Sequence, residues 1–418
     1  MTKFIVRKSD PLYGEIEISG SKNAVLPIMA AALLSDGPCE IKAVPALKDV
    51  AVMCELLRRI GSEVVENYER DEIVIGASQH CSDEAPIELI QKMRASFLVM
   101  GPLLAKNGKA RIPLPGGCAI GARPINLHLK GFQAMGASIR EERDFVEAYA
   151  NQLRGAHIYL DFPSVGATEN IMMAATLATG TTIIENVAKE PEIIDLANFL
   201  SKMGAKIKGA GTDTIKIEGV KALTRCSHTV IPDRVETGTF MVAAAATRGN
   251  LLIKNALPNH VKPVIAKLRE CGAHIEFDDE NILVRADENP LVATDIKTLP
   301  YPGFPTDMQP QFMALLTTVK GSGVVRETVF ENRFMHVAEL NRMGAGITIE
   351  SGCAVLRGER PLQGANVAAT DLRAGAALVL AGLAAEGVTE ITEVYHIDRG
   401  YANLIEKLKG VGACIERV

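Results

Sequence analysis

The stretch Leu200-Ser-Lys-Met-Gly-Ala205 belongs to a pattern that recurs six times and decides the fold. In each copy an apolar residue precedes a glycine and a small residue, after a helical pattern and before β-rich sequence. The copies are Ile60-Gly61-Ser62, Met135-Gly136-Ala137, Met203-Gly204-Ala205, Cys271-Gly272-Ala273, Met343-Gly344-Ala345 and Val411-Gly412-Ala413. Glycine just past a helix provides a left-handed cap, so each copy predicts a helix end followed by a strand.

The six glycines are 75, 68, 68, 72 and 68 residues apart, which predicts a sixfold repeat. Upstream of most copies lies an alanine- and methionine-rich pattern typical of a buried helix. These patterns cover residues 25–34, 171–178, 240–247, 312–319 and 376–385. Each repeat therefore reads as strand, strand, buried helix, strand, amphipathic helix and strand, a mixed α/β (α+β) architecture.

The sixth repeat stops short of the strand pair that should follow it, and the N-terminus offers a replacement. Residues 5–14 align without a gap on residues 355–364, and the continuation brings Ser21-Lys22-Asn23 onto Asp371-Leu372-Arg373. The first strands are therefore expected to close the last repeat, so that the chain crosses between two halves twice.

Three repeats are assigned to each half. One domain is expected to span residues 22–231, and the other residues 1–21 together with 232–418, with hinges near Gly20 and Pro232. Two linked globular halves predict a cleft between them, which is a natural place for a ligand and for closure.

Composition excludes several classes of protein. The 418 residues include 45 Lys and Arg against 50 Asp and Glu, which argues against nucleic-acid binding. The N-terminus lacks a signal-peptide pattern, and the longest apolar stretch, residues 374–385, is too short to cross a bilayer. The eight cysteines form no Cys-x-x-Cys pair, and the eight histidines form no metal motif. We expect a soluble, cytoplasmic protein with reduced thiols, no bound metal and no cofactor.

One cysteine stands in unusual surroundings. Cys118 lies in Leu114-Pro-Gly-Gly-Cys-Ala-Ile-Gly121, a sequence too rich in proline and glycine for a helix or strand. Arg123 follows, and a nearby cation lowers a thiol pKa. We therefore expect an accessible loop with a thiol acid or nucleophile, although an ordinary surface turn is the alternative.

Polar residues occupy the turns that open the buried helices, where the repeat otherwise has alanine. They are Lys22-Asn23, Arg94, residues 164–169, residues 233–236, Asp307 and residues 371–373. Cations do not suit a helix N-terminus, so Lys22, Arg94 and Arg373 indicate a shared polyanionic ligand. The alternative to ligand binding by these three cations is a solvated charge at the protein surface. For Asp233 and Asp371 the alternative is simple N-capping.

Two further arginines, Arg333 and Arg399, are expected in loops before amphipathic helices. A stiff, proline-rich segment, residues 300–310, is expected to deliver Asp307 to a helix start. From the residues alone, the chain is interpreted as a two-domain enzyme for a multiply anionic substrate, with a thiol acid or nucleophile and Asp307 as candidate base.

The chain also resembles the UDP-N-acetylglucosamine 1-carboxyvinyltransferase family of enolpyruvyl transferases, over essentially its whole length. The motifs that carry the resemblance are Gly20-Ser-Lys-Asn-Ala24, Pro115-Gly-Gly-Cys-Ala-Ile-Gly-Ala-Arg-Pro124, Ser164-Val-Gly-Ala-Thr168, Phe304-Pro-Thr-Asp-Met-Gln309, Glu331-Asn-Arg-Phe-Met-His336, Asp371-Leu-Arg373 and Asp398-Arg-Gly-Tyr401. The resemblance implies two inside-out α/β barrels of three repeats each, with helices inside and sheets outside.

The resemblance also implies addition–elimination between phosphoenolpyruvate and the 3-hydroxyl of UDP-N-acetylglucosamine, at the start of peptidoglycan synthesis. Cys118 then protonates the methylene of phosphoenolpyruvate and is the thiol alkylated by fosfomycin, while Asp307 is the base on the sugar hydroxyl. Asp371 is the carboxylate near the reacting carbon. The implied phosphoenolpyruvate contacts are Lys22, Asn23, Arg123, Arg333, Arg373 and Arg399. The implied nucleotide-sugar contacts are Asn23, Arg94, Arg123, Pro124, Ile125, Asn126, Leu127, Ser164, Val165, Gly166, Asp307 and Val329.

Three alternatives are weighed against this interpretation. The shikimate 3-phosphate enolpyruvyl transferases share the fold and the donor but are not expected to carry the Cys118 loop. A non-catalytic nucleotide-sugar-binding protein is expected to have lost Cys118, Asp307 or the cationic cluster, and all are present. An RNA-end-modifying enzyme of related repeat architecture is disfavoured by the acidic balance.

Overall fold

The computed structural model describes residues 2–76, 82–116, 120–121, 124–358 and 361–418. Contacts between Cα atoms divide these residues into two compact units. We call residues 20–116 and 124–231 the N-terminal unit, and residues 2–19, 120–121 and 232–418 the C-terminal unit. Ile120 and Gly121 group with the C-terminal unit, whereas residues 114–116 and 124 group with the N-terminal unit.

The strands in the described ranges are β1 (Phe4–Arg7), β2 (Tyr13–Glu17), β3 (Cys39–Lys42), β4 (Val64–Asn67), β5 (Glu72–Ile75), β6 (Lys109–Pro113), β7 (Ser138–Glu141), β8 (Phe145–Tyr149), β9 (His157–Tyr159), β10 (Thr181–Glu185), β11 (Lys206–Lys208), β12 (Thr214–Glu218), β13 (Ser227–Thr229), β14 (Asn250–Lys254), β15 (His274–Phe277), β16 (Asn281–Arg285), β17 (Ile296–Lys297), β18 (Ser322–Arg326), β19 (Thr348–Glu350), β20 (Cys353–Arg357), β21 (Asn366–Ala368), β22 (Val388–Thr392) and β23 (Ile415–Arg417). The helices are α1 (Lys22–Ala31), α2 (Lys48–Ile60), α3 (Ile87–Lys92), α4 (Met100–Asn107), α5 (Asn126–Ala134), α6 (Val165–Ala175), α7 (Pro191–Lys202), α8 (Arg234–Ala246), α9 (Lys262–Glu270), α10 (Gln309–Leu316), α11 (His336–Arg342), α12 (Leu372–Ala384) and α13 (Leu404–Gly410).

The third repeat shows the plan that the others follow. Its chain runs β9-α6-β10-α7-β11-β12, and its sheet has the order β9-β10-β12-β11. β9 and β10 are parallel, as their connection through a helix allows, whereas β12 is antiparallel to both of its neighbours. Four other described sheets have four strands, and the sheet of the second repeat has three. There a parallel bridge between Glu84 and Arg111 takes the place of the edge strand.

The cap glycines behave as the sequence predicts. Each of the six repeat glycines has a φ angle between +88° and +113°, in the left-handed region that favours glycine. The amphipathic helix of each repeat ends there, and a strand follows it. The prediction of six repeats with glycine-capped helices is confirmed.

The N-terminal strands complete sheets that the rest of the chain begins. β1 lies between β22 and β23, antiparallel to both, with Ile5 opposite Glu390 on one side and Glu416 on the other. β1 therefore takes the place that β20 has in the preceding repeat, as the alignment of residues 5–14 on 355–364 predicts. β2 instead pairs in parallel with β14 and forms the edge of the next sheet.

The buried helices form the centre of each unit. In the C-terminal unit α8, α10 and α12 pack on one another, and every residue of α10 is buried. These helices are rich in alanine and carry apolar residues on all faces, which is typical of a helix surrounded by protein. The N-terminal unit has α1 and α6 in the same role. In the second repeat, a 3₁₀ helix (Arg94–Val99) followed by α4 takes this role. The sequence analysis placed Arg94 at the opening of a buried helix but gave no range for that helix.

Gly101 in α4 is a position where only glycine fits. A Cβ atom there would lie 2.4 Å from both the carbonyl and the side-chain oxygen of Asn170, and the Gly101 N–H donates to that side-chain oxygen over 2.7 Å. We expect Gly101→Ala to lower the free energy of unfolding by about 2–3 kcal/mol, because α4 and α6 must separate. Urea unfolding measures this change.

The control is Gly410→Ala at the end of α13, where a Cβ atom would meet nothing within 4 Å. This substitution is expected to change the free energy of unfolding by less than about 1 kcal/mol. Equal effects of the two substitutions would contradict the close approach of α4 and α6.

None of the helices in the described ranges combines the length and the apolar composition that a membrane crossing needs.

Candidate active site

The predicted polar positions lie at the starts of the buried helices. Lys22 is the first residue of α1, Arg94 opens its 3₁₀ helix, and Asp307 lies in a 3₁₀ turn, Thr306–Met308, directly before α10. Asp233 and Asp371 are the N-caps of α8 and α12, and each accepts hydrogen bonds from two backbone N–H groups. N-capping, the alternative weighed for both aspartates, is therefore confirmed.

Asp307 lies between two buried arginines of the C-terminal unit. Its Oδ1 is 3.0 Å from Nη2 of Arg333, and its Oδ2 is 3.2 Å from both Nε and Nη2 of Arg373. Both guanidinium groups are almost fully buried, whereas 28% of the Asp307 side chain is exposed. The alternative of a solvated surface charge is therefore wrong for Arg373.

The two arginines have further donors that are buried. Nε and Nη1 of Arg333 and Nη1 of Arg373 are buried and make no hydrogen bond within the described part of the chain. Burial opposes the charge of Arg373, but Tyr401, Asp307 and Asp233 outweigh it and raise the pKa of this guanidinium. Buried donors normally have partners, so this arrangement suits an anionic ligand beside a carboxylate.

Asp371 and Arg399 lie near this cluster. The charges of both residues influence the pKa of His396. Burial lowers this pKa most, the charge of Arg399 lowers it further, and the charge of Asp371 opposes the change. Gly400 follows Arg399, and a Cβ atom on it would lie 3.6 Å from Nη1 of Arg373. Arg399 ends a 3₁₀ helix (Val394–Arg399), so the prediction that it lies in a loop is wrong. Arg333 lies in a turn before α11, as predicted.

Glu327 organises the surroundings of Asp307, and the sequence analysis did not find it. Its Oε1 accepts hydrogen bonds from the Thr298 hydroxyl over 2.7 Å and from the Val329 N–H over 2.8 Å. Its Oε2 accepts from the hydroxyl of Thr306, the neighbour of Asp307, over 2.9 Å. One carboxylate therefore holds Val329 and Thr306, the residue before Asp307. An isolated Glu in a loop gives no sequence signal for this role.

The N-terminal unit holds Lys22 with a buried partner. Nζ of Lys22 lies 3.3 Å from Oδ2 of Asp49 in α2, and both side chains are at most 10% exposed. Asn23 follows Lys22 and is half-buried. Ser21 caps α1 by accepting the Ala24 N–H, which fixes the first turn of this helix.

A second polar group in the N-terminal unit brings together several implied nucleotide-sugar contacts. His128 in α5 follows the segment 124–127, and its Nδ1 lies 3.1 Å from Nδ2 of Asn170. A Cβ atom on Gly166 would lie 3.3 Å from Cε1 of His128. Burial, followed by the charge of Arg94, lowers the pKa of His128 to about 3. Arg94, Gly166 and the start of α5 are thus neighbours of one neutral imidazole.

The lowered pKa of His128 predicts that the folded protein is less stable in acid. The folded pKa of about 3 lies below the ordinary value of 6.5. Between these values the unfolded chain binds a proton that the folded chain does not, so the free energy of unfolding falls as the pH decreases. We expect His128 to contribute a loss of about 1.4 kcal/mol per pH unit within this window. Urea unfolding at pH 6, 5 and 4 should show a shallower decline for His128→Gln than for the wild type.

The matched control is His157→Gln, because His157 lies on an exposed strand face. This variant should keep the wild-type dependence on pH. An unchanged pH dependence in His128→Gln would show that His128 is not the responsible group.

Cys118 and Arg123 lie outside the described residues, so their predicted roles stay predictions. The neighbouring Ile120 is described, and its carbonyl accepts the Asn332 N–H over 3.1 Å within the C-terminal unit. Asn332 precedes Arg333 directly. In the described ranges, no group of three or more His, Cys, Asp or Glu side chains is arranged to hold a metal ion.

Comparisons with known proteins agree with this arrangement. Residues 6–408 match the family model of EPSP synthase (3-phosphoshikimate 1-carboxyvinyltransferase). Among solved structures, the enolpyruvyl transferase NikO from Streptomyces tendae superposes with a TM-score of 0.89 at 25% identity, over 100% of this chain and 99% of that chain. EPSP synthase from Acinetobacter baumannii has the same fold, with a TM-score of 0.78 at 18% identity over the full length of both chains. The predicted enolpyruvyl transferase fold is confirmed.

Curated relatives are more similar still. A protein of Carboxydothermus hydrogenoformans named UDP-N-acetylglucosamine 1-carboxyvinyltransferase 2 is 60% identical over 419 residues, covering 100% of both chains. UDP-N-acetylglucosamine 1-carboxyvinyltransferase 1 of Caldanaerobacter subterraneus is 61% identical, over 100% of this chain and 99% of the relative. The enzyme of that name from Finegoldia magna is 56% identical, over 99% and 98% of the two chains. The chain therefore belongs to the EPSP synthase family of enolpyruvyl transferases, in its group of UDP-N-acetylglucosamine 1-carboxyvinyltransferases.

Proposed function

We propose that this chain transfers the enolpyruvyl group of phosphoenolpyruvate to the 3-hydroxyl of UDP-N-acetylglucosamine and releases inorganic phosphate. This reaction would be the first committed step of peptidoglycan synthesis. The observation that carries the proposal is Asp307 between Arg333 and Arg373, because the reaction needs a carboxylate to take a proton and fixed cations to bind an anionic donor. Family membership supplies the identity of the two substrates.

In the first half of the reaction, Asp307 takes the proton of the sugar 3-hydroxyl. The hydroxyl oxygen then forms a bond to C2 of phosphoenolpyruvate, while the Cys118 thiol gives its proton to C3, so that the double bond becomes a tetrahedral ketal. Arg333 and Arg373 are proposed to hold the donor in place. Donor and acceptor then react as one bound pair, which removes the entropic cost of a bimolecular encounter.

In the second half, the bond between C2 and the phosphate oxygen breaks. C3 returns its proton to the Cys118 thiolate, the double bond forms again, and the proton held by Asp307 leaves with the phosphate. Lys22, Arg123 and Arg399 are proposed to stabilise the departing phosphate. Asp371 is proposed to lie near the reacting carbon. The half-reactions balance in protons without metal or cofactor.

The nucleotide sugar is proposed to bind along the start of α5 and α6. Arg94, residues 124–127 and residues 164–166 are the proposed contacts, together with Asn23, Arg123 and Val329. Their support is the neighbourhood of Arg94, Gly166 and the α5 start around His128. Helix N-termini with free backbone N–H groups suit the two phosphates of such a ligand.

The test is phosphate release from phosphoenolpyruvate with UDP-N-acetylglucosamine or shikimate 3-phosphate as acceptor, and with neither. We expect release with the nucleotide sugar alone. Release with shikimate 3-phosphate instead would assign the chain the activity named by the family model. Binding of the nucleotide sugar without release would indicate a non-catalytic binding protein.

We also propose a cytoplasmic location and inhibition by fosfomycin through Cys118. The six cysteines that the structure describes are free thiols, in keeping with a reducing compartment. Fosfomycin added to the phosphate-release assay tests the second proposal, since time-dependent loss of activity is expected from a covalent inhibitor.

A further inference from the structure

Three buried side chains form a polar network where α8, α10 and α12 meet in the C-terminal unit. The Tyr401 hydroxyl lies 3.0 Å from the Thr239 hydroxyl, and Nε2 of Gln311 donates to both oxygens over 3.1 and 3.2 Å. Each of these residues is at most 4% exposed. Hydrogen bonds between buried groups hold the side chains that they join, and here they join the hydroxyls of Tyr401 and Thr239 to the Gln311 amide nitrogen.

The same tyrosine packs against Arg373. The guanidinium carbon of Arg373 lies 5.3 Å from the centre of the Tyr401 ring, within the range of a cation–π contact. A Cβ atom on Gly400 would lie 3.6 Å from Nη1 of this arginine, and Asp307 holds Nε and Nη2. Tyr401 and Asp307 therefore restrict the orientation of the Arg373 guanidinium, with Gly400 close by.

Tyr401 also belongs to the segment that carries Arg399, two residues earlier. Its backbone N–H donates to the carbonyl of Ile397 over 3.1 Å, which closes an α-type turn directly after the 3₁₀ helix that ends at Arg399. One side chain thus connects the Arg399 segment to Arg373, and through Arg373 to Asp307. Thr239 and Gln311 fix that side chain from two other helices.

We propose that Tyr401 is a positioning residue for enolpyruvyl transfer, which holds Arg373 and the Arg399 segment in the geometry that binds phosphoenolpyruvate. This inference rests on the proposed function. Tyr401 touches no reacting atom in this role and acts through the two arginines. Its hydroxyl is the part that matters, because the hydroxyl makes the hydrogen bonds to Thr239 and Gln311.

The test compares Tyr401→Phe with the wild type in steady-state phosphate release. We expect KM for phosphoenolpyruvate to rise about tenfold and kcat to fall severalfold, because Arg373 and Asp307 lose their fixed orientation. KM for UDP-N-acetylglucosamine should stay within about twofold, since its proposed contacts lie mainly in the N-terminal unit. A loss of folded protein alone lowers apparent kcat and leaves both KM values unchanged, so this difference separates positioning from stability.

Tyr395→Phe is the matched control, because Tyr395 lies in the 3₁₀ helix that ends at Arg399 and is 47% exposed. It should behave as wild type. Thr239→Val is a second variant, which removes a partner of the Tyr401 hydroxyl and keeps the side-chain shape. It should also raise KM for phosphoenolpyruvate. The double variant should have a KM for phosphoenolpyruvate no higher than that of Tyr401→Phe.

Two failures can be told apart. A wild-type protein without acceptor-dependent phosphate release would overturn the proposed function, and this inference with it. An active wild type whose KM for phosphoenolpyruvate is unchanged in both Tyr401→Phe and Thr239→Val would overturn the inference alone.

Discussion

Asp307→Asn is expected to lower kcat for phosphate release about 10²- to 10⁴-fold, the contribution typical of a positioned general base. Asparagine has the same shape but cannot take the proton of the sugar hydroxyl. It also leaves Arg333 and Arg373 buried without their counter-charge. We therefore also expect the free energy of unfolding to fall by about 3 kcal/mol. Stopped assays at saturating substrates and urea unfolding measure the two effects.

Asp279→Asn is the control for this substitution, because Asp279 lies on an exposed turn of the same unit. It should leave both quantities unchanged. If Asp307→Asn keeps more than a tenth of the wild-type kcat, Asp307 is not the base. Its arginines would then have only a binding role.

Cys118→Ala is expected to lower phosphate release by a similar factor, about 10²- to 10⁴-fold, because C3 of phosphoenolpyruvate loses its proton donor. Binding of UDP-N-acetylglucosamine should be retained, as measured by calorimetry. The variant should gain no mass on incubation with fosfomycin and the nucleotide sugar, whereas the wild type should gain one inhibitor molecule.

The control for the thiol is Cys414→Ala, since Cys414 is an exposed free cysteine of the described chain. It should keep full activity and the mass gain. A mass gain in Cys118→Ala would assign the alkylation to another cysteine, and undiminished turnover would assign the proton donation to another group.

The repeats and the helix starts could be predicted because each has a local signal. A left-handed helix cap favours glycine, so each cap appears in the sequence as a glycine after a helical pattern. Six such glycines at near-equal spacing define the order of elements. Polar residues before alanine-rich segments similarly identified Lys22, Arg94, Asp307 and Asp371 as helix openings. Both signals depend on a few neighbouring residues.

The contacts that orient the site could not be predicted in this way. Tyr401 and Thr239 are separated by 162 residues, and Asn170 and His128 by 42. Glu327 holds Thr306 from 21 residues away. These pairs depend on how the repeats pack on one another, which leaves no periodicity in the sequence. The pairing of Asp307 with both Arg333 and Arg373 likewise emerges only in the folded chain.

The position of β1 has a consequence for synthesis on the ribosome. β1 is made first, yet its neighbours β22 and β23 lie at residues 388–392 and 415–417. At a typical rate of about 5–20 residues per second, β1 waits some 20–80 seconds for them. All strands of the N-terminal unit are complete once β13 has emerged. The N-terminal unit can therefore fold on the nascent chain, while β1 keeps both edges unpaired and open to chaperones until β22 and β23 are made.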